Sequence, residues 1–268
     1  MYALEKAEYG KINSMVDRDT ICNAFLSVID GYNPGTILVD NKATPLIALV
    51  WSQGIAGFGV IGQILSASFV KSFMPFVDGV LTPFLQKQGH TCFEVNCINE
   101  TLNSSFAELI SVKSPYQWEQ KLYTLDIHDK TNGIHEKRES VHVVNHELLS
   151  TSVNTKLIKD TINQYWRSID EFLLSGIGYC CIKDNIAVSF SYSGFISESY
   201  YEIGIETLSD YRRKGYAYAA AYAVLEEIPL RGKIPFWECS ADNVASVNTA
   251  EKLGFREKLV YTCFGFDI

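Results

Sequence analysis

The strongest constraint on the fold is a pattern that occurs twice. TCFEVNCINETLNSSFAELI (residues 91–110) and PFWECSADNVASVNTAEKLG (residues 235–254) present the same sequence of events: an apolar run, a polar turn containing asparagine, then apolar residues at helical spacing. Each predicts a strand, a turn, and a helix of about three turns that asparagine can cap. The segments ahead of each copy follow a common order as well. GTILVD (35–40), LIALVWSQ (46–53) and AGFGVIG (56–62) read as strands, followed by a helix over 76–88. GYCCIK (178–183) and IAVSFSYSGF (186–195), joined by the tight-turn pair Asp184-Asn185, and YYEIGIETL (200–208) read as strands before a helix over 216–228 that ends at Pro229. QKLYTLDI (120–127), VHVVN (141–145) and REKLVYTCFGF add strands, and residues 154–166 a helix. Together these predict two similar α/β modules, 1–130 and 138–268, joined by the polar segment HDKTNGIHEKRES (128–140). Strand, turn and helix also recur by chance, and residue identity between the halves is low.

Charge and cysteine content narrow the function. With 23 Lys plus Arg against 31 Asp plus Glu, the net charge is −8, which argues against nucleic acid or an acidic membrane surface as a partner. Seven cysteines, none in a CxxC pair, fit a reduced, cytoplasmic setting, and the N-terminus lacks the pattern of a signal peptide. Residues 43–70 carry no charge and are long enough to span a bilayer. Their glycines, serines, glutamines and Pro45 read better as two buried strands around a glycine turn. His142 and His146 share a face if 141–146 is extended, but no Cys or carboxylate stands nearby at ligand spacing, so no metal is expected. Cys180-Cys181 reads as a buried apolar pair.

The chemistry concentrates where a strand runs into DYRRKGYAYAAAY (210–222). A strand leading through a glycine turn into a helix presents unpaired amides and the positive end of the helix dipole, a site suited to phosphate. At this turn the chain has neither a Walker A loop nor a GxGxxG pattern. On composition alone, Arg212, Arg213 and Lys214 read as a solvated cationic cluster.

IGIETLSDYRRKGYA followed by WECSADNVASVNTAEKLGF resembles the acetyl-CoA site of the GNAT superfamily of N-acetyltransferases. The signature of Arg or Gln, two residues, Gly, one residue, then Gly or Ala is met by Arg212, Gly215 and Ala217, and the second element by Asn243 and the KLGF of 252–255. The resemblance covers residues 141–268 and, more loosely, the first half. It implies an α/β (α+β) fold: a GNAT-like mixed, mostly antiparallel sheet flanked by helices, in tandem, with a degenerate first module. It implies acetyl-CoA as co-substrate, with no metal, and a small-molecule amine as acceptor. Backbone groups of Ile205 and Thr207 would pair with the pantetheine arm, and the amides of Arg213, Lys214, Gly215, Tyr216 and Ala217 would hold the pyrophosphate. Asn243 and Ser246 would lie toward the pantetheine or adenosine. The first module would shape the acceptor pocket or a subunit contact, as in a homodimer.

Two departures bear on catalysis. Where many members place a tyrosine acid, seven residues after the helix asparagine, this chain has Ala250. The strand positions that often carry the base are Tyr201 and Ile203. Alternation puts Glu202, Gly204 and Glu206 on the opposite face unless a bulge re-aims them. Glu206, Tyr201 and Glu202 are therefore the catalytic candidates, with Tyr216 or Tyr201 or backbone amides available to the leaving thiolate. The alternative is an acyl-CoA-binding or sensing module without catalysis.

Overall fold

The charge-free stretch folds as two neighbouring strands and the start of a helix, in a computed structural model that describes residues 1–62, 66–125, 140–151 and 155–268. The expected linker therefore lies outside the described residues, apart from Ser140, as does Asn154. Two units emerge: Met1–Lys121 with Ser240–Asp242 and Leu259–Ile268, and Leu122–Cys239 with Asn243–Lys258.

The first unit contains β1 (Tyr2–Ala3), α1 (Asn23–Ile29), β2 (Gly35–Val39), β3 (Ile47–Ser52), β4 (Gly57–Gly62), α2 (Ala67–Phe76), α3 (Thr82–Lys87), β5 (Cys92–Asn96), α4 (Glu100–Ile110) and most of β6 (Tyr116–Thr124). Strands β1 to β4 pair antiparallel in sequence order, and β4 then pairs parallel with β5 through Phe58↔Val95 and Gly59↔Asn96. Every residue of β3 is buried, which explains a charge-free run without a membrane. Among the described residues no helix is long and apolar enough to cross a membrane.

The helix expected over 76–88 begins earlier, at Ala67. Ser66 caps it by accepting from the Phe69 amide at 3.1 Å, and a π-helical turn over Val77–Leu81 carries it into α3. Phe69 and Phe73 bury their rings here, and that packing outweighs the helix-breaking signal of Pro75. Helix α1 is buried along its whole length, so it offers no amphipathic period to read.

The second unit contains β7 (Val141–Val143), α5 (His146–Thr151), α6 (Thr155–Tyr165), α7 (Ile169–Ser175), β8 (Gly178–Lys183), β9 (Ile186–Ile196), β10 (Tyr200–Thr207), α8 (Tyr216–Glu227), most of β11 (Ile234–Ser240) and α9 (Val244–Lys252). Strands β7 to β10 pair antiparallel in sequence order, and β10 pairs parallel with β11. Asp184 and Asn185 turn the β8–β9 hairpin with φ of 51° and 61°, the left-handed pair that such a turn requires. The fold is thus α+β, with a mixed, mostly antiparallel sheet flanked by helices.

The closing strand β12 (Arg256–Asp267) pairs antiparallel with β5, from Cys263↔Asn96 to Asp267↔Cys92. From Leu259 onward the chain thus belongs to the first unit, a placement that no local sequence signal encodes.

Candidate active site

Strand β10 is held on one side only for most of its length. Its parallel ladder with β11 comprises Tyr200↔Ile234, Tyr201↔Pro235 and Glu202↔Phe236. On the other side, β9 accompanies it as far as Thr207↔Ser189. The Leu208 amide donates to the Val188 carbonyl at 3.0 Å, and the hydroxyls of Ser191 and Ser189 donate to the carbonyls of Gly204 (3.0 Å) and Glu206 (3.3 Å). Even-numbered residues therefore direct their backbone groups toward β9. Alternation turns those of Ile203, Ile205 and Thr207 toward the edge that β11 leaves after Glu202.

The chain then enters the cationic turn. Arg213 (φ 59°) and Gly215 (φ 85°) both adopt the left-handed conformation, which glycine tolerates and Arg213 adopts at a cost. Gly215 is the N-cap of α8 and supplies no side-chain cap. The helical ladder begins with the Ala219 amide donating to the Gly215 carbonyl at 3.0 Å, so the preceding amides start without an intrahelical acceptor. Arg212 Nε donates to the Thr207 carbonyl at 3.2 Å and Lys214 Nζ to the Asp210 carbonyl at 2.6 Å, while Arg213 is exposed. Behind the turn, Tyr216 is buried, and Ala219, Ala220 and Ala221 let the helix lie close to the sheet.

Asn243 caps α9 by accepting from the Ser246 amide at 3.2 Å, and Ser246 Oγ accepts from Trp237 Nε1 at 3.1 Å. Asn243 thus caps the helix, and Ser246 ties it to β11. Ala250 is wholly buried, so that position of α9 offers no hydroxyl.

The predicted catalytic residues separate by face. Two steps of β10 from Tyr201 to Ile203 oppose three steps of β9 from Ile196 to Ser193, so the bulge lies in β9 and β10 keeps its alternation. Tyr201 is buried, and its hydroxyl donates to the Ser175 carbonyl at 2.9 Å, an anchoring bond to the end of α7. Glu202, Gly204 and Glu206 share the other face. A Cβ on Gly204 would stand 2.6 Å from the Tyr192 ring, so only glycine lets this tyrosine lie across the strand. Tyr192 and Tyr165, the last residue of α6, are joined by a hydrogen bond between their hydroxyls, with ring centroids 5.5 Å apart. Burial raises both phenols, and the charges of Glu202 and Glu206 raise them further.

Glu202 Oε2 is sealed from solvent and has no hydrogen-bond partner. Burial, and after it the charge of Glu238 on β11, keep the Glu202 carboxyl protonated well above the usual carboxylate range. Partial burial also raises Glu206, and the neighbouring Arg212 partly offsets it. The described structure therefore gathers Glu202, Glu206, Glu238, Tyr165 and Tyr192 around the parting of β10 and β11. The sequence reading missed three of them. Tyr192 could have been found from its alternation with Ser191 and Ser193, whereas Tyr165 and Glu238 are brought there only by tertiary packing.

Other predicted features fall elsewhere. His142 is on β7 and His146 opens α5, so the two do not share one extended strand. Cys180 and Cys181 are fully buried thiols. An open cavity of about 370 Å³, lined by residues of α8, β7 and β8 such as Tyr222, Val141 and Tyr179, contains none of the predicted site residues.

Known proteins share the fold. An uncharacterized N-acetyltransferase of Bacillus subtilis, YdfB, is 26% identical over 281 residues, covering 97% of each chain. A GCN5-related N-acetyltransferase-like protein from Streptococcus suis superposes with a TM-score of 0.67 at 19% identity, covering 97% of this chain and 99% of its own. A tandem GNAT protein from the clavulanic acid biosynthesis pathway gives 0.59 at 10% identity, covering 99% and 97%. Residues 16–264 match the GNAT acetyltransferase family, and with the parted strands and uncapped helix in place the chain belongs to that family.

Proposed function

We propose that this chain moves the acetyl group of acetyl-CoA to a primary amine of a small-molecule acceptor by direct attack in a ternary complex. The observation that carries the reading is the parallel β10–β11 ladder that stops at Glu202, just before a strand that leads into an uncapped helix N-terminus. Backbone groups of Ile205 and Thr207 face the opening and suit a pantetheine arm lying alongside as an added strand. The amides of residues 213–217, with Arg212, Arg213 and Lys214 around them, suit the pyrophosphate. Asn243 and Ser246 contribute by fixing α9 beside this path.

An amine attacks only when neutral, so the protonated acceptor must lose a proton first. Glu202 suits that role because its proton affinity is raised, and a general base works best with a pKa near the working pH. Glu206 stands four residues along on the same face and favours a cationic acceptor. Tyr201, anchored to Ser175, supports the strand. One observation favours the second reading, an acyl-CoA-binding module: buried Ala250 where a proton donor for the thiolate is usual.

Calorimetry with acetyl-CoA, combined with thiol release across a panel of amines, separates the readings. Binding with thiol release and an acetylated product from at least one amine is expected. Binding without turnover on any amine assigns the site to sensing, and no binding rejects both.

A further inference from the structure

Ala250 leaves a departing thiolate without a hydroxyl from α9, yet two phenols stand over the open part of β10. Tyr192 of β9 is the register partner of Gly204. A Cβ on Gly204 would stand 2.6 Å from Cζ of the Tyr192 ring and 2.9 Å from its hydroxyl oxygen. That oxygen therefore rests on the strand itself, on the face that carries Glu202 before it and Glu206 after it. With the pyrophosphate assigned to the turn after Thr207, a pantetheine arm runs back along β10 past Thr207 and Ile205. Its sulfur end then falls beside Gly204, level with the hydroxyl.

Tyr192 is 3% exposed, whereas Tyr165, the last residue of α6, is only partly buried. The Tyr165 ring packs edge-on to Phe195 with centroids 5.1 Å apart, lies 5.5 Å from that of Tyr192, and would stand 3.6 Å from a Cβ on Gly194. Burial raises both phenols, and within that rise the bond between their hydroxyls raises Tyr192 and lowers Tyr165. Tyr192 is thus the donor and Tyr165 the acceptor. The inner hydroxyl is seated by Gly204, and it holds the outer one on the face of Glu202.

We propose that Tyr165 is a catalytic residue of the acetyl transfer proposed above, on which this inference rests: its hydroxyl donates to the sulfur of CoA as the C–S bond breaks, and Tyr192, seated on Gly204, is the positioning residue that holds it there. The ammonium nitrogen of the acceptor first gives a proton to Glu202, which frees its lone pair. The N–C bond forms, the electron pair of the C–S bond goes to sulfur, and Tyr165 gives its proton to that sulfur. The second proton of the nitrogen restores the Tyr165 phenol, and the proton on Glu202 passes to solvent.

The contact with sulfur can be read without knowing the acceptor. Carbon-13 NMR of CoA labelled at the carbon that bears the sulfur follows the thiol titration when CoA is bound to the full chain. A donor beside the sulfur stabilises the thiolate, so the bound thiol is expected to titrate lower in the wild type than in Tyr165→Phe by about one pH unit or more. Tyr192→Phe and Gly204→Ala, which removes or displaces the supporting hydroxyl, should give part of the same shift, and they carry the test if Tyr165→Phe does not fold. With any amine that the wild type acetylates, Tyr165→Phe should lower kcat by about 10²-fold at unchanged acetyl-CoA affinity. A thiol that titrates alike in the wild type and in the variants overturns the assignment, whatever happens to the rate. Turnover with an unshifted titration overturns only the role of Tyr165. A shifted titration without turnover on any amine overturns the acetyl transfer and the catalytic role with it, and so does failure of the wild type to bind CoA.

Discussion

In both units an antiparallel run leads into one parallel pair, and an asparagine-capped helix follows, yet the last residue in the parallel ladder is Gly59 in one and Glu202 in the other. Asn99 accepts from the Leu102 amide at 2.9 Å and Asn243 from the Ser246 amide at 3.2 Å, so the paired sequence pattern has a common local structure. The surroundings diverge. A Cβ on Gly59 would stand 2.5 Å from the Phe25 ring, and Phe58, Phe93 and Phe266 stack at 5.1 and 4.9 Å. Aromatic rings thus fill the first unit where the second brings carboxyls and tyrosine hydroxyls together. The helix ends differ likewise: Ser66 satisfies the start of α2 from within, and Gly215 leaves the start of α8 open. The strand order is common to both units, and the lining differs.

The most severe way to erase that difference is Glu202→Gln. The substitution keeps shape and removes the proposed base, so acetyl transfer is expected to fall by about 10²–10⁴-fold. Acetyl-CoA affinity should stay unchanged by calorimetry, because the backbone of β10 and the turn are untouched. A parallel loss of affinity would show that Glu202 holds the strand rather than the proton.

Gly59→Ala tests the packed counterpart. Phe25 is buried and a Cβ would stand 2.5 Å from its ring, so overpacking is expected to lower stability by about 1–3 kcal/mol in urea unfolding. Folded protein should bind acetyl-CoA as before if the first unit carries no part of that site. Unchanged stability would mean that α1 can shift, and the comparison with Glu202 would lose its steric basis.

The contrast was only partly legible in the sequence. The glycine turn into α8 was legible because it is local: Arg212, Gly215 and Ala217 lie within one short stretch of chain and carried the resemblance to the family. The asparagine caps were legible for the same reason. Glu238 was not, because its importance depends on the register of β11 against β10, and a slip of one residue would turn it to the other face. Nor was Tyr165, which reaches Tyr192 only through the packing of α6, or the pairing of β12 with β5. The early start of α2 was hidden by Pro75, and α1 by its complete burial.

Burial of Glu202 also predicts how stability follows pH. Its folded-state proton affinity is raised above the unfolded value, so the folded state binds more protons in the interval between the two. The associated stability is complete below the ordinary carboxylate range and is lost as pH rises through the raised value. The loss has an upper slope of about 1.4 kcal/mol per pH unit for one proton. Unfolding of the wild type should therefore become easier with rising pH across that interval relative to Glu202→Gln, which has no carboxyl to ionise. Parallel curves would mean that Glu202 is solvated.

The smallest expected effects compare the two helix starts. Gly215→Val forces a β-branched residue into a left-handed conformation, at about 1–2 kcal/mol, and moves amides away from the path assigned to pyrophosphate. Acetyl-CoA affinity is expected to drop about tenfold or more. Ser66→Ala removes the cap of α2 and should lower stability by about 1 kcal/mol with no change in acetyl-CoA affinity. The two substitutions act on the same kind of position, so opposite readouts would localise anion binding to the second unit. If Ser66→Ala weakened acetyl-CoA binding as much as Gly215→Val, the self-capped helix would have to be part of the binding surface, and the division between a filled unit and an open one would fail.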